Sequence, residues 1–284
     1  MADLVRWAVK AALLPYGAVA RERRPGLTIL NYHRVGGGTD SQIDLPVELF
    51  EWQMDYVRRH CRVVALDELL DAPSPAGDAV AITFDDGYAD LSEHAYPILR
   101  RFRLPATVYM ATRFLQEGVL RPAGDGGRRG EEARPLSWAQ AGELARSGLI
   151  TVGGHTHAHP DLARADAANV EADLDLADRL MVERLGVRPR HFAYPWGRTS
   201  PAARAVVARR YRTAAVAGVQ KNPYDALDLM ALRRVPVQRS DGRLFFRLKL
   251  SSYLVGEEWL RRRADERNAR RSASAAVWAA GGGR

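Results

Sequence analysis

The chain has 284 residues, 46% of them hydrophobic, which is enough to bury the core of one barrel-sized domain without requiring a second. Its formal net charge of +8 suits an anionic partner. The basic residues are scattered, however, and no recognised nucleic-acid motif accompanies them, so we expect no nucleic-acid partner. A single cysteine, Cys61, excludes an intramolecular disulfide.

The first twenty residues contain Arg6 and Lys10 before a short apolar run that Pro15 and Gly17 interrupt. The run is too short to span a membrane. Small residues at its end resemble a cleavage site, so a secretory signal stays an alternative. We expect an amphipathic helix that can rest on a membrane, and hence a protein in the cytoplasm or in peripheral contact with a membrane.

Short apolar runs then alternate with segments of helical spacing. This alternation predicts a parallel sheet covered by helices. Ser137 and the pair Ser200-Pro201 mark the starts of two of the helices. The predicted strands are residues 27–32, 62–65, 79–84, 106–110, 149–152, 191–194, 213–217 and 232–237, and the predicted helices are residues 49–59, 91–102, 138–146, 167–185 and 201–210.

Two segments lack this order. Residues 118–135 show no periodicity and are longer than ordinary connections, so we expect a loop at the rim of a cleft, with a disordered insertion as the alternative. Residues 261–284 begin as a charged helix and end in Ser, Ala and Gly, which is typical of a disordered tail or a packing extension. Cys61 is expected to be a buried small hydrophobe that follows a helix.

Two aspartates, Asp85 and Asp86, follow the apolar run 79–84. A buried parallel strand aims its carboxyl end at the face where ligands collect. Gly87 permits a sharp turn there, so both carboxylates can face one cleft, one binding a metal and the other poised above the metal's water. Asp-Asp-Gly is also a good turn or helix-capping sequence, and taken alone it favours that structural role.

Three alternating histidines close the later apolar run. His155 and His159 are four residues apart, within reach of one ion on a helical turn or tight loop. A carboxylate and two imidazoles form a ligand set that zinc accepts while one position stays open for water, which indicates a hydrolase. His157 points elsewhere, and we expect a solvated imidazole or one that supports the site from outside.

These segments resemble the first two signature motifs of the polysaccharide deacetylases, the family that shares the NodB homology domain (carbohydrate esterase family 4). A third segment, residues 192–197, resembles the Pro-aromatic-Gly loop of that family. Three linked motifs are a specific signal. The resemblance extends over roughly residues 27–240 and implies a single-domain α/β fold, a distorted (β/α) barrel of about seven strands. Residues 1–26 would then form a helical extension, and residues 241–284 a helical extension and tail.

The resemblance also implies a divalent metal, Zn²⁺ by preference, and Asp85 as the general base that takes a proton from the metal's water. The family removes acetyl groups from N-acetylated sugars, most often polymers of N-acetylglucosamine, so the expected partner is an N-acetylated glycan. The backbone N–H of Trp196 would stabilise the oxyanion. The implied metal ligands are Asp86, His155 and His159. The implied substrate contacts are Tyr194, Pro195 and Trp196.

Two parts that are common in the family are missing. Many members carry an arginine two residues before the proline of the third motif, where this chain has Ala193. Many also supply a general acid from a late histidine, but no histidine follows His191. The late strand 232–237 and the segment 32–35 (Tyr-His-Arg-Val) resemble instead the branch with exopolysaccharide and poly-N-acetylglucosamine deacetylases.

Two residues are candidates for the missing roles. His33 ends the first predicted strand, so we predict that it lies beside the metal site as acid or substrate contact, the alternative being a structural histidine. Arg234 is predicted to orient Asp85, the alternative being a surface arginine. The chain is therefore expected to de-N-acetylate N-acetylhexosamine units of a bacterial polysaccharide or its precursor. The alternatives are an inactive glycan-binding barrel and a metal-dependent hydrolase of a small cyclic amide or imide.

Overall fold

A computed structural model of the protein describes residues 2–71, 77–120 and 133–256. The strands are β1 Gly26–Tyr32, β2 Arg34–Val35, β3 Asp44–Leu45, β4 Arg62–Val63, β5 Ala79–Phe84, β6 Ala106–Met110, β7 Ile150–Gly154, β8 His191–Ala193, β9 Thr213–Ala217, β10 Asn222–Pro223 and β11 Leu232–Pro236. The helices are α1 Ala2–Ala12, α2 Leu14–Ala20, α3 Val47–His60, α4 Leu66–Asp71, α5 Tyr96–Phe102, α6 Thr112–Glu117, α7 Trp138–Arg146, α8 Ala167–Leu185, α9 Pro201–Ala208 and α10 Gly242–Leu250.

Seven parallel strands close into a barrel. Strands β5 to β9 follow one another around the sheet in chain order, and β11 lies next to β9. Strand β1 closes the ring because it pairs in parallel with β11 on one side and with β5 on the other. Outside this ring, β4 pairs in parallel with the start of β5, and β10 pairs antiparallel with the start of β1. The predicted α/β barrel of a single domain is confirmed.

Most predicted elements agree with the structure to within a few residues. Strands β5, β6 and β9 and helices α7 and α8 have the predicted bounds. Ser137 forms a capping box with Gln140, and the Ser200 side chain accepts a hydrogen bond from the Ala203 N–H, as the two helix starts require. The predicted helix 91–102 begins as a π-helical turn over residues 91–95. The two-residue strands β2, β3 and β10 and the short helix α6 were not predicted, because such short elements carry no readable period, whereas β4 lies within the strand predicted over residues 62–65.

The inside of the barrel is narrow and filled. Small residues such as Ala81 and Ala215 line it together with the fully buried ring of Tyr109. Gly153 leaves no room for a side chain, because a Cβ there would lie 2.5 Å from that ring. A filled interior confines ligands to the mouth of the barrel, where the carboxyl ends of the strands meet.

The first twenty residues, predicted to form one amphipathic helix, instead contain two helices in their described part, α1 and α2, which lie on either side of Leu13. No helix in the described ranges is long and apolar enough to cross a membrane. Cys61 follows α3 and is half-buried against the core. Residues 121–132 of the predicted rim loop and the predicted tail 261–284 lie outside the described residues. The proposed limits of the barrel unit at residues 26 and 240 stay predictions.

Candidate metal centre and catalytic residues

The two sequence motifs meet at the mouth of the barrel. Asp85 and Asp86 follow the carboxyl end of β5, and His155 follows the carboxyl end of β7. These strands flank β6 in the same parallel sheet, so their carboxyl ends open onto the same face. The predicted convergence of residues about seventy positions apart in the sequence is thereby confirmed.

The Asp86 carboxylate and the imidazoles of His155 and His159 form a buried triangle. Asp86 Oδ1 lies 3.4 Å from His155 Nε2 and 3.5 Å from His159 Nε2, and the two Nε2 atoms are 3.2 Å apart. Ligand atoms about 2.0 to 2.1 Å from a tetrahedral zinc ion are separated from one another by about 3.3 Å. The triangle therefore fits one divalent ion of this size, while the identity of the ion stays a prediction.

The hydrogen bonding of His155 supports this fit. Its Nδ1 lies 2.7 Å from the carbonyl oxygen of Ala193, so Nδ1 carries the proton and Nε2 presents its lone pair to the triangle. The Trp196 ring packs edge-on against the other imidazole, His159, with ring centroids 5.0 Å apart. Two neutral imidazole nitrogens facing each other at 3.2 Å would repel each other unless a proton or a cation lay between them.

The Asp86 carboxyl is in the charge state that a ligand needs. Burial raises its pKa, but the hydrogen bond to His155 and the charges of His159 and His33 outweigh burial and hold the pKa well below its usual range. Burial lowers the pKa of His155, but the carboxylates of Asp85 and Asp86 outweigh that and raise it. A cation is therefore favoured in the triangle, whether a proton or a metal ion, and metal binding would displace the proton.

The backbone at the site is strained. Asp86, Thr156, His159 and Trp196 have φ angles of 70°, 68°, 52° and 55°, a left-handed region that residues other than glycine rarely adopt. Gly87, with φ of 90°, makes the sharp turn that its sequence position predicts. Such conformations persist only where surrounding contacts enforce them, and they cluster at functional sites.

The histidine loop is fixed by a carboxylate that the sequence did not point to. Asp173, on α8, accepts hydrogen bonds from the backbone N–H groups of His157 and Ala158 at 2.7 and 2.9 Å. The side chain of His157 turns away, its Nδ1 lying 2.9 Å from Thr112 Oγ1. The His157 side chain is therefore outside the triangle, in agreement with the expectation that it points elsewhere. Asp173 was missed because nothing in a helical pattern distinguishes a surface aspartate from one that faces a loop.

Arg234 holds the second aspartate. Its Nη1 and Nη2 atoms donate to Asp85 Oδ1 and Oδ2 at 2.5 and 2.7 Å, and Nη1 also contacts Asn31 Oδ1 at 3.3 Å. Arg234 is 2% exposed, so it is not a surface arginine. Burial raises the pKa of Asp85, but Arg234 and His155 outweigh burial and lower it overall. The carboxylate is therefore charged at neutral pH and held in one orientation, as the hypothesis for Arg234 requires.

His33 lies next to Asp85 rather than among the candidate ligands. The His33 Nε2 atom is 3.8 Å from Asp85 Oδ2, and about a quarter of the His33 side chain is exposed. A side chain at the mouth with some solvent access can reach a bound substrate. The structure thus brings His33 to the site, while its role stays a prediction.

The third motif forms a 3₁₀ turn over Pro195–Gly197. The Trp196 N–H belongs to the first turn, where backbone N–H groups have no hydrogen-bond partner within the helix. It can therefore donate to a group outside the helix, as the predicted oxyanion role requires. Tyr194 is fully buried, and its hydroxyl donates to the carbonyl oxygen of Met230. The Tyr194 side chain belongs to the core, and a substrate contact by this side chain would require it to leave the core. Pro195 is buried too, so Trp196 alone of the three predicted contacts has a partly exposed side chain.

The chain is similar to known proteins over the segments that supply this site. The family model described as "Polysaccharide deacetylase" matches residues 72–214, which include both aspartates and both candidate imidazole ligands. YxkH of Bacillus subtilis (strain 168) is 24% identical over 185 residues, 63% of this chain and 60% of YxkH. The poly-beta-1,6-N-acetyl-D-glucosamine N-deacetylase of Staphylococcus aureus (strain MRSA252) is 26% identical over 164 residues, 52% of each chain.

The chain thus covers little more than half the length of these curated relatives. Among solved structures, the Streptococcus pyogenes deacetylase PplD in complex with acetate superposes with a TM-score of 0.67 at 21% identity, covering 80% of this chain and 99% of PplD. At that identity the likeness shows the fold. Because the family model spans half of the sequence and contains the candidate ligands, the chain belongs to the polysaccharide deacetylase family.

Proposed function

We propose that this protein is a metal-dependent hydrolase that removes N-acetyl groups from N-acetylhexosamine units of a bacterial polysaccharide or its precursor. The observation that carries the proposal is the pairing of the Asp86, His155 and His159 triangle with an arginine-bound carboxylate, Asp85, immediately beside it. The relative from Staphylococcus aureus named as a poly-beta-1,6-N-acetyl-D-glucosamine N-deacetylase supports this class of substrate.

Each residue of the site has a distinct role in the proposed reaction. A divalent ion at the triangle would supply a Lewis acid that polarises the acetamide carbonyl and lowers the pKa of a water molecule to about 7. Asp85 is oriented by Arg234 and takes the proton as the water attacks. The Trp196 N–H donates to the carbonyl oxygen as negative charge develops on it.

The departing amine needs a proton, because an amide anion is far too basic to leave. His33 is the candidate donor, since it lies at the mouth and close to Asp85. Asp85 itself is the other candidate, returning the proton that it took from water. An inactive glycan-binding barrel is less well supported. Arg234 and His33 both lie beside Asp85, where they can take the roles of the family's missing arginine and missing late histidine.

The test is acetate release from a panel of N-acetylated glycans, measured with chelated protein and after zinc is added back. We expect release from at least one N-acetylhexosamine oligomer that depends on the added ion. Asp85→Asn should keep the ion and lower turnover by about 10²- to 10⁴-fold, because the amide cannot accept a proton. A metal-loaded protein that releases no acetate but binds a glycan would favour the inactive barrel, and hydrolysis of a cyclic imide alone would favour the other alternative.

A further inference from the structure

Exposed apolar side chains are concentrated on α1 and α2. In the described part of the chain nine large hydrophobic side chains are exposed, and five of them lie between residues 5 and 19. Val5 and Val9 are four residues apart on α1, and Tyr16 and Val19 are three apart on α2, so each pair shares a helix face. A concentration of this kind marks a docking surface, whereas single exposed apolar residues do not. The five are Val5 (60% exposed), Trp7 (48%), Val9 (39%), Tyr16 (58%) and Val19 (82%).

The opposite sides of the two helices are fixed to the barrel. Lys10 on α1 is 5% exposed and its Nζ contacts the buried carboxylate of Asp241. Lys249 on α10 binds the other oxygen of that carboxylate at 2.8 Å. On α2, Gly17 packs so closely on the backbone of Tyr253 that no Cβ would fit. The helices therefore have a buried side that is already occupied. Trp7 borders this side, since its ring packs edge-on against Phe245 of α10 at 5.8 Å while half of it stays exposed. The other four apolar side chains, Val5, Val9, Tyr16 and Val19, are exposed on helices that these contacts hold in place.

Basic residues outnumber acidic residues on these helices. Together α1, α2 and α10 contain one acidic residue, Asp3 near the start of α1, and five basic residues, which are Arg6, Lys10, Arg243, Arg247 and Lys249. Arg243 and Arg247 project from the exposed side of α10, where they stack on Trp52 and Tyr56 at 5.1 and 5.5 Å. Neither of these two guanidinium groups has an ion-pair partner among the described residues. Phosphate groups of an anionic membrane complement such arginines, and Trp and Tyr side chains suit the boundary between headgroups and acyl chains.

We infer that the surface of α1, α2 and the exposed side of α10 rests on an anionic lipid bilayer. The apolar side chains of α1 and α2 would enter the headgroup and acyl boundary, and the arginines of α10 would contact lipid phosphates. The protein would lie on the membrane without crossing it, in line with the lengths of its described helices. This inference does not depend on the deacetylase reaction, because none of these residues belongs to the metal site.

The experiment is co-sedimentation of the full chain with phosphatidylcholine vesicles that contain or lack phosphatidylglycerol. We expect binding to the anionic vesicles that weakens in high salt. The double variant Val5→Ser/Val19→Ser should lose at least about tenfold in partitioning, because less apolar surface enters the bilayer. The matched control Val182→Ser/Leu229→Ser changes exposed apolar residues elsewhere and should bind as the wild type does. Circular dichroism and thermal unfolding would verify that both double variants are folded.

Two further comparisons isolate the parts of the surface. Arg243→Gln/Arg247→Gln should weaken binding to anionic vesicles several-fold, while Arg103→Gln/Arg179→Gln, which changes exposed arginines elsewhere, should not. Brominated lipids should quench tryptophan fluorescence less in Trp7→Phe than in the wild type. Failure of the wild type to bind, or equal losses in surface and control variants, would overturn the inference. A dimer in solution that Val5→Ser/Val19→Ser dissociates, without vesicle binding, would also overturn it and assign the surface to a second copy.

Discussion

The Arg234 guanidinium binds both carboxylate oxygens of Asp85, although the two residues come from strands that are not neighbours. Arg234 lies on β11 and Asp85 follows β5, and β1 pairs with both strands between them. The Arg234 side chain thus reaches Asp85 across β1, the strand that closes the barrel. A two-pronged contact of this kind fixes the orientation of the carboxylate as well as its charge.

Removing this guanidinium should shift the pH dependence of the reaction. Arg234 lowers the pKa of Asp85, so Arg234→Gln should raise that pKa and move the acid limb of kcat/KM to higher pH. The stabilisation from the depressed Asp85 pKa exists above the unfolded value and is lost as pH falls through the folded value. Breaking a buried pair should also cost about 3–5 kcal/mol of unfolding free energy. Arg233→Gln is the control, and an unchanged pH profile in Arg234→Gln would show that Arg234 does not control Asp85.

The metal triangle should require all three side chains. Asp86→Ala, His155→Gln and His159→Gln should each lower zinc affinity by more than about 100-fold, because each removes a direct ligand. His157→Gln should keep the wild-type affinity, since its side chain faces Thr112. Zinc titration against a competing chelator measures these affinities, and a variant that loses a predicted ligand but keeps its affinity would remove that residue from the site.

Asp173 should support the site without touching an ion. Asp173→Ala removes the acceptor for two backbone N–H groups of the histidine loop, so we expect a loss of about 10- to 100-fold in zinc affinity. Asp175→Ala, on the same helix but paired with Arg210, is the matched control. If the two variants bind zinc equally well, the hydrogen bonds from the histidine loop to Asp173 are not needed to hold the candidate ligands in place.

The proton donor can be identified by the choice of leaving group. If His33 protonates the amine, His33→Gln should reduce hydrolysis of amides far more than hydrolysis of an activated acetate ester, whose leaving group needs little protonation. Parallel kinetics on the two substrates measure this ratio. Equal losses would assign His33 to binding or structure and leave Asp85 to return the proton.

His191 should make stability depend on pH. It is fully buried between Thr213 and Asp67, and burial lowers its pKa more than Asp67 raises it. Below about pH 6.5 the unfolded chain takes up a proton that the folded chain does not, so the unfolding free energy falls as pH falls towards the folded pKa. The slope contributed by one proton is at most about 1.4 kcal/mol per pH unit. Urea unfolding of metal-free protein should show this slope in His60→Gln and a smaller one in His191→Gln.

The aspartate pair and the histidines could be placed together because they stand at the ends of strands whose apolar runs are easy to recognise. Motifs that end parallel strands of one sheet share a mouth, whereas the choice of Asp86 over Asp85 as the candidate ligand came from the family resemblance. The environment of Tyr194 could not be predicted in this way. Its position depends on the left-handed turn at Trp196 that follows it, and on a carbonyl from Met230 that is distant in sequence.

The same limit applies to Arg234 and Asn31. Both stand on predicted strands, but a chain rich in arginine offers many candidates, and only the pairing of β11 with β1 selects one. Hydrogen-bond partners 203 residues apart, such as Arg234 and Asn31, have no local signature in the sequence. The identity of the strands could therefore be predicted, while their closure into a ring followed only from the family resemblance.

The position of β1 between β5 and β11 has a consequence for biosynthesis. During translation β1 and β5 can pair early, but the side of β1 that receives β11 stays open until residue 236 has left the ribosome. Asp85 has no guanidinium partner until then, and long-range strand pairing of this kind is slow to form. A nascent chain could therefore carry the three candidate metal ligands before the Asp85 carboxylate is held in position, so that the complete site forms only with the last strand of the ring.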